Sequence, residues 1–302
     1  MVCWISAIIG FVGIGSCGGR GSVDDLTILV EGLTFGEGPR WRAGSLWFSD
    51  FYSHEVIRVD EKGNTRIVVK VPEQPSGLGW TPDNELLVVS MRDQRILRLK
   101  NNTLIPHANL SQFSTYWCND MVVDSIGGAY VGNFGFNRRG GEAACPTNLV
   151  RVSPEGAVSL AANDLWFPNG MVITPDGSTL VVAETLGHRL TAFDISSGGS
   201  LSNRRVFAED PGMYPDGICL DVEGAIWVAD PHNKEVIRIA EGGKVLDRLV
   251  LGDRGAYACT LGGFDGRTLF VCTNTDSGPE NGIARVGRIE FTRVSVASAG
   301  SP

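Results

Sequence analysis

Six polar residues recur at matched places in a repeated pattern: Glu37, Ser76, Asn119, Asn169, Asp216 and Thr260. They stand in "GEGPRW", "PSGLGW", "CNDMVV", "PNGMVI", "PDGICL" and "ACTLGG", each at the entrance of a short strand-like run. Oxygen-bearing side chains converging on one point suit a hard cation such as Ca2+, which takes carboxylate, amide and water oxygens. Glu37, Asn119, Asn169 and Asp216 are the strongest candidate ligands, and two carboxylates balance a divalent charge. Each residue alone also has a plain structural reading. Glu37 can cap a turn, and "PNG" and "PDG" are ordinary turn tripeptides, because Asn, Asp and Gly dominate turns. Recurrence at equivalent positions is what favours the metal reading.

The elements that must carry these residues repeat as well. Each unit runs turn, strand, Pro/Asp/Gly turn, second strand, then a charged third strand of the type "VIRV". The period of roughly 40–50 residues is that of β-propeller blades. No amphipathic helix of convincing length interrupts them. The predicted fold is all-β, a six-bladed β-propeller. The stretch "DLTILVEGL", residues 25–33, has no hairpin partner and is expected to supply the outer strand of the last blade, which removes exposed edges. Trp41 is expected to wedge between blades. Counting back from the hairpin turns pairs Glu37 with Asp50, Asn119 with Asn133, Asn169 with Glu184 and Asp216 with Asp230. This predicts a second polar ring beside the first, since opposite residues of an antiparallel hairpin are direct neighbours.

Composition narrows the remaining classes. The chain has 302 residues, a net charge of -8 and no Lys/Arg run, which argues against nucleic-acid binding. Seven cysteines lie scattered without C-x-x-C pairs and read as reduced, mostly buried thiols. Residues 1–22 are apolar and rich in small residues. They read as an N-terminal extension or a degenerate signal-like segment, since a basic n-region is missing. They are short for a membrane span. Residues 23–302 are expected to form a single domain. A cytoplasmic monomer or homodimer is expected, with export through residues 1–22 as the alternative. No G-x-S-x-G elbow, H-x-x-x-H zinc spacing or phosphate-cradling loop occurs. His188 and His232 follow second strands and are read as exposed loop residues.

"FGEGPRW", "CNDMVVD", "FPNGMVITPDGSTLVVAET" and "PDGICLDVEGAIWVAD" resemble the gluconolactonase/regucalcin (senescence marker protein) family of six-bladed propellers, over about Leu26 to Phe291. The resemblance implies a metal-dependent lactonase acting on a small lactone. Its metal ligands fall by motif on Glu37, Asn169 and Asp216. Asn119 lies beside the metal and either ligates it or contacts substrate. Asp216 is also the candidate general base, so Asp216 and Asn119 form the expected catalytic pair. Ca2+ is the expected ion, with Mg2+, Mn2+ and Zn2+ as alternatives.

One departure bears on the substrate. Sugar-lactone members often carry Arg or another polar residue two positions before the Asn of the "ND" motif, where this chain has Trp117. With Tyr116, Phe134, Phe136, Trp166 and Phe167 nearby in motif terms, the mouth reads as aromatic and fits an aryl or alkyl lactone. Trp117, Phe134, Asn119 and Glu184 make up the expected substrate-binding set. The insert from Gly135 to Asn148 is the expected lid or pocket wall. The alternatives are an aryl ester hydrolase or phosphotriesterase at the same site, and a non-catalytic ligand-binding propeller.

Overall fold

The computed structural model describes residues 20–21 and 26–300. The remainder of the 1–22 segment lies outside the described residues. The described chain forms six sheets around one axis. Blade one runs from Gly36 to Lys70, blade two from Pro75 to Asn109, blade three from Cys118 to Leu165 and blade four from Pro168 to Glu209. Blade five runs from Ile218 to Val250, with Arg20–Gly21 added in parallel beside its outer strand Val245–Val250. In blade six, Thr27–Leu33 pairs antiparallel with Gly287–Arg293, with Thr27 opposite Phe291 and Leu33 opposite Gly287. The N-terminal strand therefore closes the ring as expected. A second fastening joins blades six and five: Val222 N donates to Ala297 O and Ala299 N to Leu220 O.

Burial grades outward along each blade. The innermost strands Cys118–Val123 and Pro168–Ile173 are buried throughout, while the outer strand Thr65–Lys70 is largely exposed. Strands covered on both faces need continuous apolar runs, which explains "MVV" and "MVI" in place of strict alternation. The core lies between blades. Leu46 and Phe48 of blade one pack with Ala258 and Phe270 of blade six. Trp41 stacks on Phe270 at 5.3 Å, and a Cβ on Gly262 would fall 2.4 Å from its Cγ, so this ring does wedge between first and last blades.

Near the axis the strands crowd more tightly still. A Cβ on Gly77 would lie 2.3 Å from Met121 N, and one on Gly170 would lie 2.5 Å from Ile218 N, both belonging to the following blade. These contacts are with backbone and cannot relax by rotating a side chain. Gly77→Ala is expected to cost about 2–3 kcal/mol as an overpacking change, read as a lowered urea midpoint. An unchanged midpoint would show that the inner strands have slack.

Candidate active site

The innermost strands begin at one end of the propeller, here called the mouth. Each carries a one-residue register slip just inside that end. It falls between Glu37 and Arg40, Pro75 and Leu78, Cys118 and Met121, Pro168 and Met171, and Ala256 and Ala258. Blade five does the same: Asp216 N donates to Ala229 O, yet Ile218 already stands opposite Val228. Such a bulge places two residues against one on the partner strand. The first of the two is Glu37, Ser76, Asn119, Asn169, Asp216 or Ala256. The second is Gly38, Gly77, Asp120, Gly170, Gly217 or Tyr257.

The bulge corrects two expectations. Thr260 is not the blade-six member of the ring. It pairs with Phe270 deeper in the strand, and Ala256 takes the place instead. The second ring is also displaced by one residue. Asp50 stands opposite Gly36, Asn133 opposite Cys118 and Glu184 opposite Pro168. A slip of one residue turns a side chain to the other face. These residues clip the loops above them. Asp50 accepts from Thr34 N at 2.9 Å and Phe35 N at 2.7 Å, and Asp230 accepts from Tyr214 N and Asn233 N, each at 2.8 Å. Asn133 accepts from Gly135 N at 3.0 Å and from Thr147 Oγ1 at 2.7 Å.

Glu184 leaves the substrate-binding set for the same reason. It is fully buried and takes Trp166 N at 2.8 Å, Arg189 Nε at 2.9 Å, Arg204 Nη2 at 3.2 Å and Thr191 Oγ1. Burial raises its pKa, but the bonds from Arg189, Thr191 and Trp166 N outweigh that and hold it below the ordinary glutamate value.

The first ring is brought together. Asn119 Nδ2 donates to Asn169 Oδ1 at 2.9 Å, and Ser76 Oγ lies 3.4 Å from Asn119 Oδ1. Asn169 Nδ2 donates to Thr185 Oγ1 at 3.2 Å, and that hydroxyl donates to Pro215 O at 2.7 Å, next to Asp216. Glu37 is held well above the usual carboxylate range by burial, then by the charges of Asp216 and Asp120. Asp216 is raised likewise by burial, then by Asp120, against the Asn169 amide, which lowers it. Asp216 Oδ1 is buried with no hydrogen-bond partner. An orphaned buried oxygen costs about 1–3 kcal/mol, more when charged. Two raised carboxylates and an unpartnered oxygen, flanked by amides, are what a hard cation would relieve. Among the described residues no three His, Cys, Asp or Glu side chains form a metal-binding group. The polar side chains here are two carboxylates and two amides.

Three residues at the site were not singled out from sequence. Asp120 follows Asn119, and Arg40 Nη2 donates to its Oδ1 at 2.7 Å. Tyr257 occupies the blade-six bulge with its ring 4.6 Å from Phe35. Burial, followed by the charges of Asp216, Asp276 and Glu37, pushes its hydroxyl up. The sequence signal was the break in pattern: four blades place glycine second in the bulge, and blades three and six do not.

The aromatic residues singled out from sequence pair with one another. Phe134 stacks on Phe167 at 4.9 Å, Tyr116 stacks on Trp117 at 5.2 Å, and Arg92 lies 5.2 Å over the Trp117 ring. Phe136 is buried against Phe167, so it packs the wall from behind. The Gly135–Asn148 insert crosses the mouth. Arg139 Nη2 donates to Tyr52 Oη of blade one at 2.9 Å and to Ser277 O of blade six at 2.7 Å. His232 is exposed, and His188 is half-buried with Nδ1 2.8 Å from Met213 O; their rings flank Tyr214 at 4.3 and 4.6 Å.

The family model described as the SMP-30/Gluconolactonase/LRE-like region matches residues 35–275. A 6-deoxy-6-sulfogluconolactonase of Pseudomonas putida is 26% identical over 91% of this chain and 96% of its own. Pentonolactonase XacC of Haloferax volcanii is 26% identical over 88% and 92%. A solved regucalcin of Agrobacterium tumefaciens, described as a calcium-binding protein, superposes with a TM-score of 0.76 at 22% identity over 91% and 95%. The chain belongs to the SMP-30/gluconolactonase/LRE-like family.

Proposed function

We propose that the protein is a metal-dependent lactonase that opens a lactone ring to a hydroxy acid. Lactone hydrolysis is supported by the family and by relatives named for it. The observation that carries the metal reading is the unpartnered Asp216 Oδ1, buried beside Glu37 and the Asn119–Asn169 amide pair. Glu37, Asn169 and Asp216 would hold the ion, with Asn119 beside it. An all-oxygen set favours Ca2+, with Mg2+, Mn2+ and Zn2+ as alternatives. When bound, the cation supplies Lewis acidity toward the carbonyl and a more acidic water. Asp216 takes the proton of the attacking water. A carboxylate beside a cation is a weak base, so this role is assistance. Asn119 Nδ2 gives one hydrogen to Asn169 Oδ1; its other is available to the oxygen that gains charge at the carbonyl.

In this reading Trp117 and Phe134 contact the substrate, and their stacking on Tyr116 and Phe167 supports an apolar ring substituent. Aryl or alkyl lactones are expected to exceed aldonolactones in kcat/KM by about tenfold or more, the scale of a few apolar contacts. A panel of both, with aryl acetates and a phosphotriester, tests this. Preference for aldonolactones would overturn the apolar reading. Turnover of the esters without lactones would replace lactonase by ester hydrolase, which the same aromatic walls accommodate.

A pH dependence follows from the raised carboxylates. Without a cation, Glu37 and Asp216 bind protons more tightly folded than unfolded. Their contribution to stability is therefore full below the unfolded carboxylate values and is lost as pH rises through the folded ones. A cation needs both ionised. Saturating Ca2+ is expected to raise Tm more at about pH 8 than at about pH 5. An equal gain at both would place the ion elsewhere.

A further inference from the structure

Arg40 lies three residues beyond Glu37 on the same inner strand, yet its guanidinium does not pair with Glu37. Nη2 donates to Asp120 Oδ1 and to Met121 O, both at 2.7 Å, and Nη1 donates to Pro39 O at 2.9 Å. Asp120 Oδ1 also accepts Met121 N at 2.8 Å. The tie runs from blade one to blade three across blade two. Gly77 leaves the room for it, since a Cβ there would fall 2.6 Å from Asp120 Oδ1. Both side chains are largely buried, at 18% and 10% exposure, so the contact is poorly screened.

Asp120 is adjacent in sequence to Asn119 and close enough for its charge to act on both Glu37 and Asp216. A third carboxylate thus stands close to the two proposed ligands, and Arg40 is bonded to it. An unrestrained Asp120 would be the natural third anionic donor. Carboxylate count is a main control of Ca2+ affinity. Too tight a site, closed by protein oxygens, leaves no position for substrate and water.

We propose that Arg40 is a positioning residue: it ties Asp120 to the blade-three backbone and holds it out of the donor set, fixing the axial site at two carboxylates. This rests on the axial cation proposed above. Lysine could keep the charge but not the paired donors of the guanidinium, so Arg is the fitting residue.

Calorimetric titration with Ca2+ tests it, using wild type, R40M, R40K and R40M/D120N. R40M is expected to bind Ca2+ about tenfold or more tightly, because a carboxylate is released toward the ion. The double variant removes a neutral pair and is expected to stay within about threefold of wild type; it leaves no buried charge unpaired and is the variant least prone to misfold. R40K is expected to fall between wild type and R40M. A merely structural tie would leave R40M affinity equal or weaker, and that result overturns the proposal. A loss of about tenfold or more in R40M/D120N would also overturn it, since Asp120 would then be a ligand in wild type. Absence of Ca2+ binding by wild type would instead remove the cation reading, and this inference with it.

Discussion

Asp216→Asn is expected to lower kcat/KM for lactone hydrolysis by about 10²–10³-fold, or ~3–4 kcal/mol of transition-state stabilisation. The substitution keeps the side-chain shape but removes three things at once. It takes away one of the two carboxylates proposed to balance the ion, the proton acceptor and a charge that adds to burial in raising Glu37. The fold should survive, because Asp216 Oδ1 supports no hydrogen bond whose loss would cost stability. An unchanged or raised Tm with lost turnover is the expected combination. Steady-state kinetics at saturating Ca2+ checks it. Turnover within about threefold of wild type would remove the base and ligand roles together.

Glu184→Ala should do the reverse. Glu184 is fully buried and binds two arginines, a threonine hydroxyl and a backbone N–H. Removing one side of a buried charged network typically costs about 3–5 kcal/mol. Arg189 and Arg204 are 28% and 34% exposed and regain some solvation, so about 3 kcal/mol is expected. The depressed pKa gives the loss a pH signature. Such a group stabilises the fold above its unfolded value of about 4.3, and that contribution fades as pH falls below it. The gap between wild type and Glu184→Ala in urea unfolding should therefore narrow toward acid. KM for lactone should stay within about twofold for the folded variant, since the side chain holds the loop above blade four. A large rise in KM would restore Glu184 to the substrate contacts.

Much of this was legible because repetition carries information that single residues do not. The turn tripeptides of Asn169 and Asp216 are individually ordinary. Their shared place in successive units set the blade count, and the unpaired 25–33 stretch implied the closing strand. The one-residue bulge was not legible. Its one mark, a glycine second in four of the six blades, reads equally as turn chemistry, yet the bulge decides which side each neighbour faces. Its omission put Asp50, Asn133, Glu184 and Asp230 one step out of register and turned loop clips into an apparent second ring. Blade six suffered further: its inner strand begins "GAYACT", with no polar residue at the ring position, so alignment slid to the next polar one, Thr260.

The same bulge accounts for the residues that were missed. It presents two side chains to the crowded axis, and packing allows only glycine second where the following blade approaches, as at Gly77 and Gly170. Asp120 and Tyr257 stand where that rule is broken. Asp120 is accommodated because Arg40 reaches it across Gly77, a pairing 80 residues apart in sequence that no local pattern encodes. The aromatic residues were legible as types, and Trp117 and Phe134 stack on Tyr116 and Phe167, while Arg139 of the Gly135–Asn148 insert reaches blades one and six.

The most direct test is kcat/KM for an aryl lactone measured before and after exhaustive chelation, with Ca2+ then returned. The expected result is a loss of at least about 100-fold on chelation, restored by Ca2+ or one of the alternative divalent ions. Activity that survives exhaustive chelation would contradict the metal-assisted mechanism at Glu37, Asn169 and Asp216.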